Sequence, residues 1–172
     1  ILKHMEVLAS DAFMGRMPFG PGEEKTLDYL ENAFSNLGLQ PGNKDSYFQE
    51  VPMVELTPRV ESDMVLKGPN GQVSLQAGQD FVALGRQVVE RVDLEAAPLV
   101  FAGYGVVAPE YDWNDYEGLD VKGKVVMVLV NDPGFGTQDS SFFKGNTMTY
   151  YGRWTYKYEE AARQGAAGCI IV

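Results

Sequence analysis

The sequence predicts a mixed α/β fold, an α+β mixture that is helical at its start and strand-rich afterwards. Three observations carry that reading. Apolar residues keep helical spacing through the first forty positions. From residue 47 onward they alternate with polar ones, which is the period of a half-buried strand. Near the end an apolar run, a helical stretch and a second apolar run follow one another, the order of a βαβ unit.

The elements follow in order. Leu2, Met5, Leu8, Ala9 and Ala12 share a helical spacing. A turn-rich stretch with Pro18 and Pro21 comes next. Leu27, Leu30, Phe34 and Leu37 then mark one face of a second helix. Glu23 and Glu24 lie in its first turn, where the helix dipole favours negative charge. Gly38 supplies a C-terminal cap, and Pro41-Gly42 stops the helix. Residues 47–56 read as a strand, with Pro52 marking an edge or a bulge. Met64 and Leu66, then Val73 and Leu75, alternate with polar neighbours around Asn70-Gly71, a strong hairpin signal. Residues 81–84 add a further short strand, and residues 90–97 read as a link. Residues 99–102 form an apolar strand. Residues 125–130 are apolar throughout and bounded by turns, as expected of a strand buried on both faces. A helix over residues 156–164 places Tyr158, Ala161 and Ala162 on one side, with Gly165 as its cap. Residues 169–172 form the last strand. A domain seldom stops on a buried strand, so the chain is expected to be part of a longer protein.

The chain has 172 residues, about one domain's worth at roughly 150 residues per domain. Lys and Arg number 14 and Asp and Glu 24, a formal charge of −10. That balance gives no broad basic footprint for nucleic acid or an anionic membrane. No apolar run approaches the roughly 18 residues of a membrane span, and no signal peptide is present. His4 is the single histidine and Cys169 the single cysteine. A zinc site takes three or four ligands from His, Cys and carboxylate, and H-E-x-x-H and paired C-x-x-C do not occur. These counts argue against most self-contained hydrolase sites.

Several segments invite a chemical reading. Residues 103–108 fit G-x-G-x-x-A after a strand, but a dinucleotide site needs a helix N-terminus next, and Pro109 intervenes. The two glycines therefore read as a backbone turn. Glu110, Asp112, Asp115, Glu117 and Asp120 form an acidic stretch that lacks the EF-hand pattern and reads as a solvated loop pinned by Tyr111 and Trp113. Arg16 reads as one half of an ion pair with a nearby carboxylate. Cys169 reads as a small hydrophobe in its strand. Tyr150, Tyr151, Arg153, Trp154, Tyr156 and Tyr158 fall within nine residues. Exposed aromatics beside an Arg are typical of binding hot spots, whereas buried ones anchor a connection to a sheet. Anchoring of the long connection onto the sheet is the favoured role, because aromatics dominate cores as well as interfaces; if any residues of the cluster contact a ligand or another domain, they are Tyr151, Arg153 and Trp154.

Two sets of motifs point one way. Residues 8–16, Leu-Ala-Ser-Asp-Ala-Phe-Met-Gly-Arg, precede Pro21-Gly22-Glu23-Glu24 and a helix ending in Gly38-Leu39-Gln40-Pro41. This resembles the start of zinc aminopeptidases of metallopeptidase family twenty-eight. Phe101-Ala102-Gly103-Tyr104-Gly105-Val106, Lys122-Gly123-Lys124-Val125-Val126 and residues 159–168 resemble the protease-associated domain that many of these enzymes carry as an insert. The resemblance implies helices and a first strand of the peptidase body over residues 1–56. It implies an incomplete protease-associated (PA) domain over residues 57–172. It further implies an exported parent, periplasmic or secreted, that binds two zinc ions and releases N-terminal residues from peptides. The family's zinc ligands lie in segments that do not occur here, so no catalytic or metal residue is assigned and no cofactor is expected in these residues. The implied partners are the rest of the catalytic domain and the parent's peptide substrate, not nucleic acid or membrane. Self-association is also expected, through apolar helix residues such as Leu30 and Phe34. The alternative is a stand-alone ligand- or protein-binding α/β module without peptidase activity.

Overall fold

A computed structural model describes residues 1–172, and the fold mixes helix and strand. The chain forms two compact units, Ile1–Ala83 and Leu84–Val172.

In the first unit, α1 spans Leu2–Leu8 and α2 spans Pro21–Asn36. Between them Asp11–Arg16 forms a 3-10 turn broken at Met14 and Gly15. Pro21 opens α2, where its missing N–H costs nothing. The helix ends in a Schellman motif: Gly38 at φ 74° donates to Ser35 O, and Leu39 donates to Phe34 O at 3.2 Å. Gly22 is the one buried residue of α2, and a side chain there would strike the Phe13 carbonyl oxygen. The apolar stripe read from the sequence is present but largely uncovered: Phe34 is 40% exposed and Leu37 71%. Arg16 donates to the Leu8 carbonyl, so its anchor is backbone and not the carboxylate expected.

The hairpin forms as the sequence predicts, from β1 (Met64–Gly68) and β2 (Gly71–Leu75). They pair antiparallel with Gly68 opposite Gly71, so Pro69 and Asn70 are the two loop residues. Residues 47–56 do not form the expected strand. A strand exists only beside a hydrogen-bonded partner; none lies there, and Pro52 removes a donor. Residues 81–84 are not a strand either, because Phe81 makes a single bridge to Ala77 around a tight turn.

The second unit is built on a three-stranded parallel sheet. β3 (Leu99–Phe101), β6 (Val125–Val128) and β7 (Gly168–Ile171) pair in the order β3-β6-β7, with Val100 opposite Val126 and Val126 opposite Cys169. Between β3 and β6 a small antiparallel pair forms from β4 (Val107–Ala108) and β5 (Trp113–Asn114). The helix α3 (Trp154–Arg163) connects β6 to β7, the expected βαβ order. Alternation along the strands puts Val126 and Val128 into a core with Val100, Cys169, Ile171 and Ala161 of α3. The expectation of burial on both faces holds for one face only. Phe101 on the other face is 57% exposed, and Val125 and Met127 are half-buried.

The buried side of α3 also differs from the expectation. It consists of Tyr156, Lys157, Glu160 and Ala161, while Tyr158 and Ala162 are exposed. Two charged residues occupy the inner stripe, so a hydrophobic pattern points to the wrong side of the helix.

Candidate functional site

Ligands of open α/β sheets bind beyond the carboxyl ends of the strands. In the second unit that edge is shaped by three segments: the turn after β3, the long loop after β6, and the N-terminal turn of α3.

The turn after β3 uses Gly103 and Gly105 at φ 51° and 62°. Gly105 donates to Ala102 O at 2.6 Å, and Leu129 donates to Gly103 O at 2.8 Å. The glycines therefore act as the backbone turn that the sequence suggests. A side chain at Gly105 would meet Val128 Cγ1 at 2.6 Å, so the turn also lies tight against β6.

The loop after β6 runs from residue 132 to residue 149, and a buried carboxylate closes its base. Asp132 is fully buried. Its Oδ1 accepts from Gly134 N at 3.1 Å; its Oδ2 accepts from Thr149 N at 2.9 Å and from Thr149 Oγ1 at 2.7 Å. Charge-assisted bonds of this kind exceed neutral ones in strength. Midway along the loop Phe143 is fully buried, stacked on Tyr111 with ring centroids 4.1 Å apart. Phe142, Trp113 and Tyr151 meet it edge to face.

Lys157 of α3 joins the two segments. Its side chain is fully buried, and Nζ donates to Tyr104 O at 2.6 Å and to Asn131 O at 2.7 Å. Burial pulls the ammonium down to about 8, against the opposing pull of Asp115 and Asp132. Glu160, one turn on, is satisfied by Arg163 at 2.7 Å and Gln164 at 2.8 Å.

The structure places Tyr151 and the two residues after the next glycine differently. Tyr151 is half-buried, edge-on to Phe143 and Tyr156, and its hydroxyl donates to Glu110 Oε1 at 2.6 Å. That hydrogen bond raises the phenol to about 12, with burial second, and holds the Glu110 carboxyl below its usual range. Arg153 and Trp154 lie on the surface where α3 begins, with Trp154 64% exposed. Tyr151 thus faces inward while Arg153 and Trp154 face solvent. Sequence reasoning missed Asp132, Lys157 and Phe143. For Asp132 a signal existed: a carboxylate ending an apolar strand before Pro133-Gly134 suits a turn that caps backbone donors. Lys157, between two tyrosines, gave no such signal.

The carboxylates of the acidic stretch have separate uses. Asp115 accepts from Val106 N at 3.0 Å, and Asp120 pairs with Lys124 at 3.1 Å. His4 Nδ1 lies 2.7 Å from Tyr29 Oη, and burial pushes the Cys169 thiol up to about 11. No three His, Cys, Asp or Glu side chains gather in a group able to hold a metal ion. No helix is long and apolar enough to cross a membrane. What the arrangement offers is a stiff carboxyl edge with an exposed aromatic and cationic rim. No protein-family model, no curated protein and no solved structure matches the chain, so its fold and this edge stand as the grounds for a functional reading.

Proposed function

We propose that these residues are a non-catalytic part of an exported zinc aminopeptidase, comprising N-terminal elements of the peptidase body and part of a protease-associated domain. In this reading the protease-associated part, residues 57–172, shapes substrate access or recruits a partner, and the two zinc ions belong to the parent's catalytic domain. The observation that carries the reading is the set of segments that pair. Leu99–Phe101, Val125–Val128 and Gly168–Ile171, which lie in or beside the motifs resembling a protease-associated domain, form one parallel sheet with α3 crossing between two of them. The same motifs supply the turn at Gly103 and Gly105 that lies against β6.

The test pairs two measurements on the purified chain. Zinc is quantified after dialysis, and release of N-terminal residues from aminoacyl chromogenic substrates is followed with zinc added. The expected outcome is no stoichiometric zinc and no turnover. Bound zinc with turnover would overturn the reading.

The exposed Trp154 beside Arg153 favours a second reading, a stand-alone binding module. That reading requires saturable quenching of tryptophan fluorescence by a peptide or small ligand, lost in Trp154→Ala with the fold retained.

A further inference from the structure

The tip of the β1–β2 hairpin holds an asparagine with an unusual combination of surroundings. Asn70 is exposed, and it is the one asparagine of this chain followed by glycine. The carboxamides of Asn32 and Asn43 donate to Asp28 O and Phe48 O, both at 2.7 Å. Those of Asn114 and Asn131 accept from Tyr116 N and Asp132 N, both at 3.0 Å. Asn36 and Asn146 precede Leu37 and Thr147, whose side chains crowd the next main-chain nitrogen. The carboxamide of Asn70 has no hydrogen-bond partner to hold it away from the backbone. Gly71 has no Cβ to obstruct approach, and beyond its chain neighbours no atom lies within 4 Å of the place a Cβ would take.

We infer that Asn70 is a site of spontaneous deamidation, in which the Gly71 main-chain nitrogen attacks the Asn70 carboxamide carbon. The Gly71 N–Asn70 Cγ bond forms, the Gly71 amide proton passes to solvent, and the Cγ–Nδ2 bond breaks with loss of ammonia. Water then opens the five-membered succinimide at either carbonyl. One opening gives aspartate; the other gives isoaspartate, with the main chain rerouted through the former side chain. Both products add one negative charge.

The consequence follows from the register. The hairpin closes on two loop residues, with Gly68 opposite Gly71. An isoaspartate lengthens the main chain at the second of them by one carbon, and the closing pair loses its alignment. A two-stranded hairpin is marginal alone, so a small change at its turn is enough to open it.

The experiment uses the full chain, held in mildly alkaline buffer at physiological temperature. Aliquots go to ion exchange and to peptide mapping with isoaspartate detection. A more acidic species is expected to accumulate, to map to residue 70 with isoaspartate in excess, and to vanish in Asn70→Ser. Gly71→Ala is expected to slow it several-fold. An Asn70 that stays intact while the urea-unfolded chain converts would overturn the inference, because the folded turn would then protect it. An acidic species mapping to another asparagine would overturn it equally.

Discussion

Lys157 ties two loops together through a fully buried ammonium, and that arrangement has a pH signature. Its folded value of about 8 lies below its ordinary value of 10.5. Above pH 8 the folded chain loses this proton while the unfolded chain keeps it, so the unfolded state binds more protons and stability rises with pH. The rise ends near pH 9. There the unfolded Cys169 begins to ionise while burial keeps the folded thiol protonated to about 11, and the loss from the thiol offsets the gain from the lysine. Urea titrations should therefore show a shallow gain between pH 8 and 9. Lys157→Met should abolish that gain. At neutral pH the same variant should lose about 2 kcal/mol, the order expected when buried carbonyls lose a donor. An unchanged profile in the variant would show that the lysine does not titrate in this window. None of this was legible in the sequence, because a lysine between two tyrosines looks the same whether it faces solvent or two carbonyl oxygens.

Turns decide the geometry at the scale of elements, and two glycines separate two effects. Gly38 closes α2 at φ 74° with open space around its missing Cβ. Gly105 has φ 62° and would place a Cβ 2.6 Å from Val128 Cγ1. Gly38→Ala should cost about 1 kcal/mol, the penalty of the left-handed region alone. Gly105→Ala should cost about 3 kcal/mol, because overpacking adds to that penalty. Thermal unfolding of the two variants checks the ordering, and equal losses would mean that β6 yields to the added methyl. Both glycines were legible as turn residues, since each follows a periodic run. The tightness at Gly105 was not, because the contact joins residues 105 and 128 across the sheet. The unformed strand over residues 47–56 teaches the same lesson in reverse: its alternation is local, but a strand needs a neighbour.

At the scale of the whole molecule, uncovered apolar surface is the main consequence of the fold. Parallel sheets normally have both faces covered. Here α3 covers one face, and Leu99 and Phe101 on the other are 43% and 57% exposed. In the first unit the α2 stripe leaves Phe34 40% exposed. Light scattering should accordingly show concentration-dependent self-association. Phe101→Ser should weaken it if the sheet face is the contact, and Phe34→Ser if the helix stripe is. A strictly monomeric chain at all concentrations would exclude both contacts.

The sequence by itself determined the mixed fold class, both long helices, the hairpin and the β6–α3–β7 order, because periodicity, caps and turn residues act over a few positions. It also supplied the motifs behind the aminopeptidase reading. Only the tertiary structure decided which side of α3 is buried, how Asp132 closes its loop, and that Tyr151 turns inward while Trp154 turns outward. The physical reason is that burial and hydrogen-bond satisfaction depend on partners distant along the chain. Lys157 finds its carbonyl partners at residues 104 and 131, and Tyr151 finds its carboxylate at residue 110. No local pattern encodes those meetings; the sheet creates them by bringing the ends of its strands to one edge.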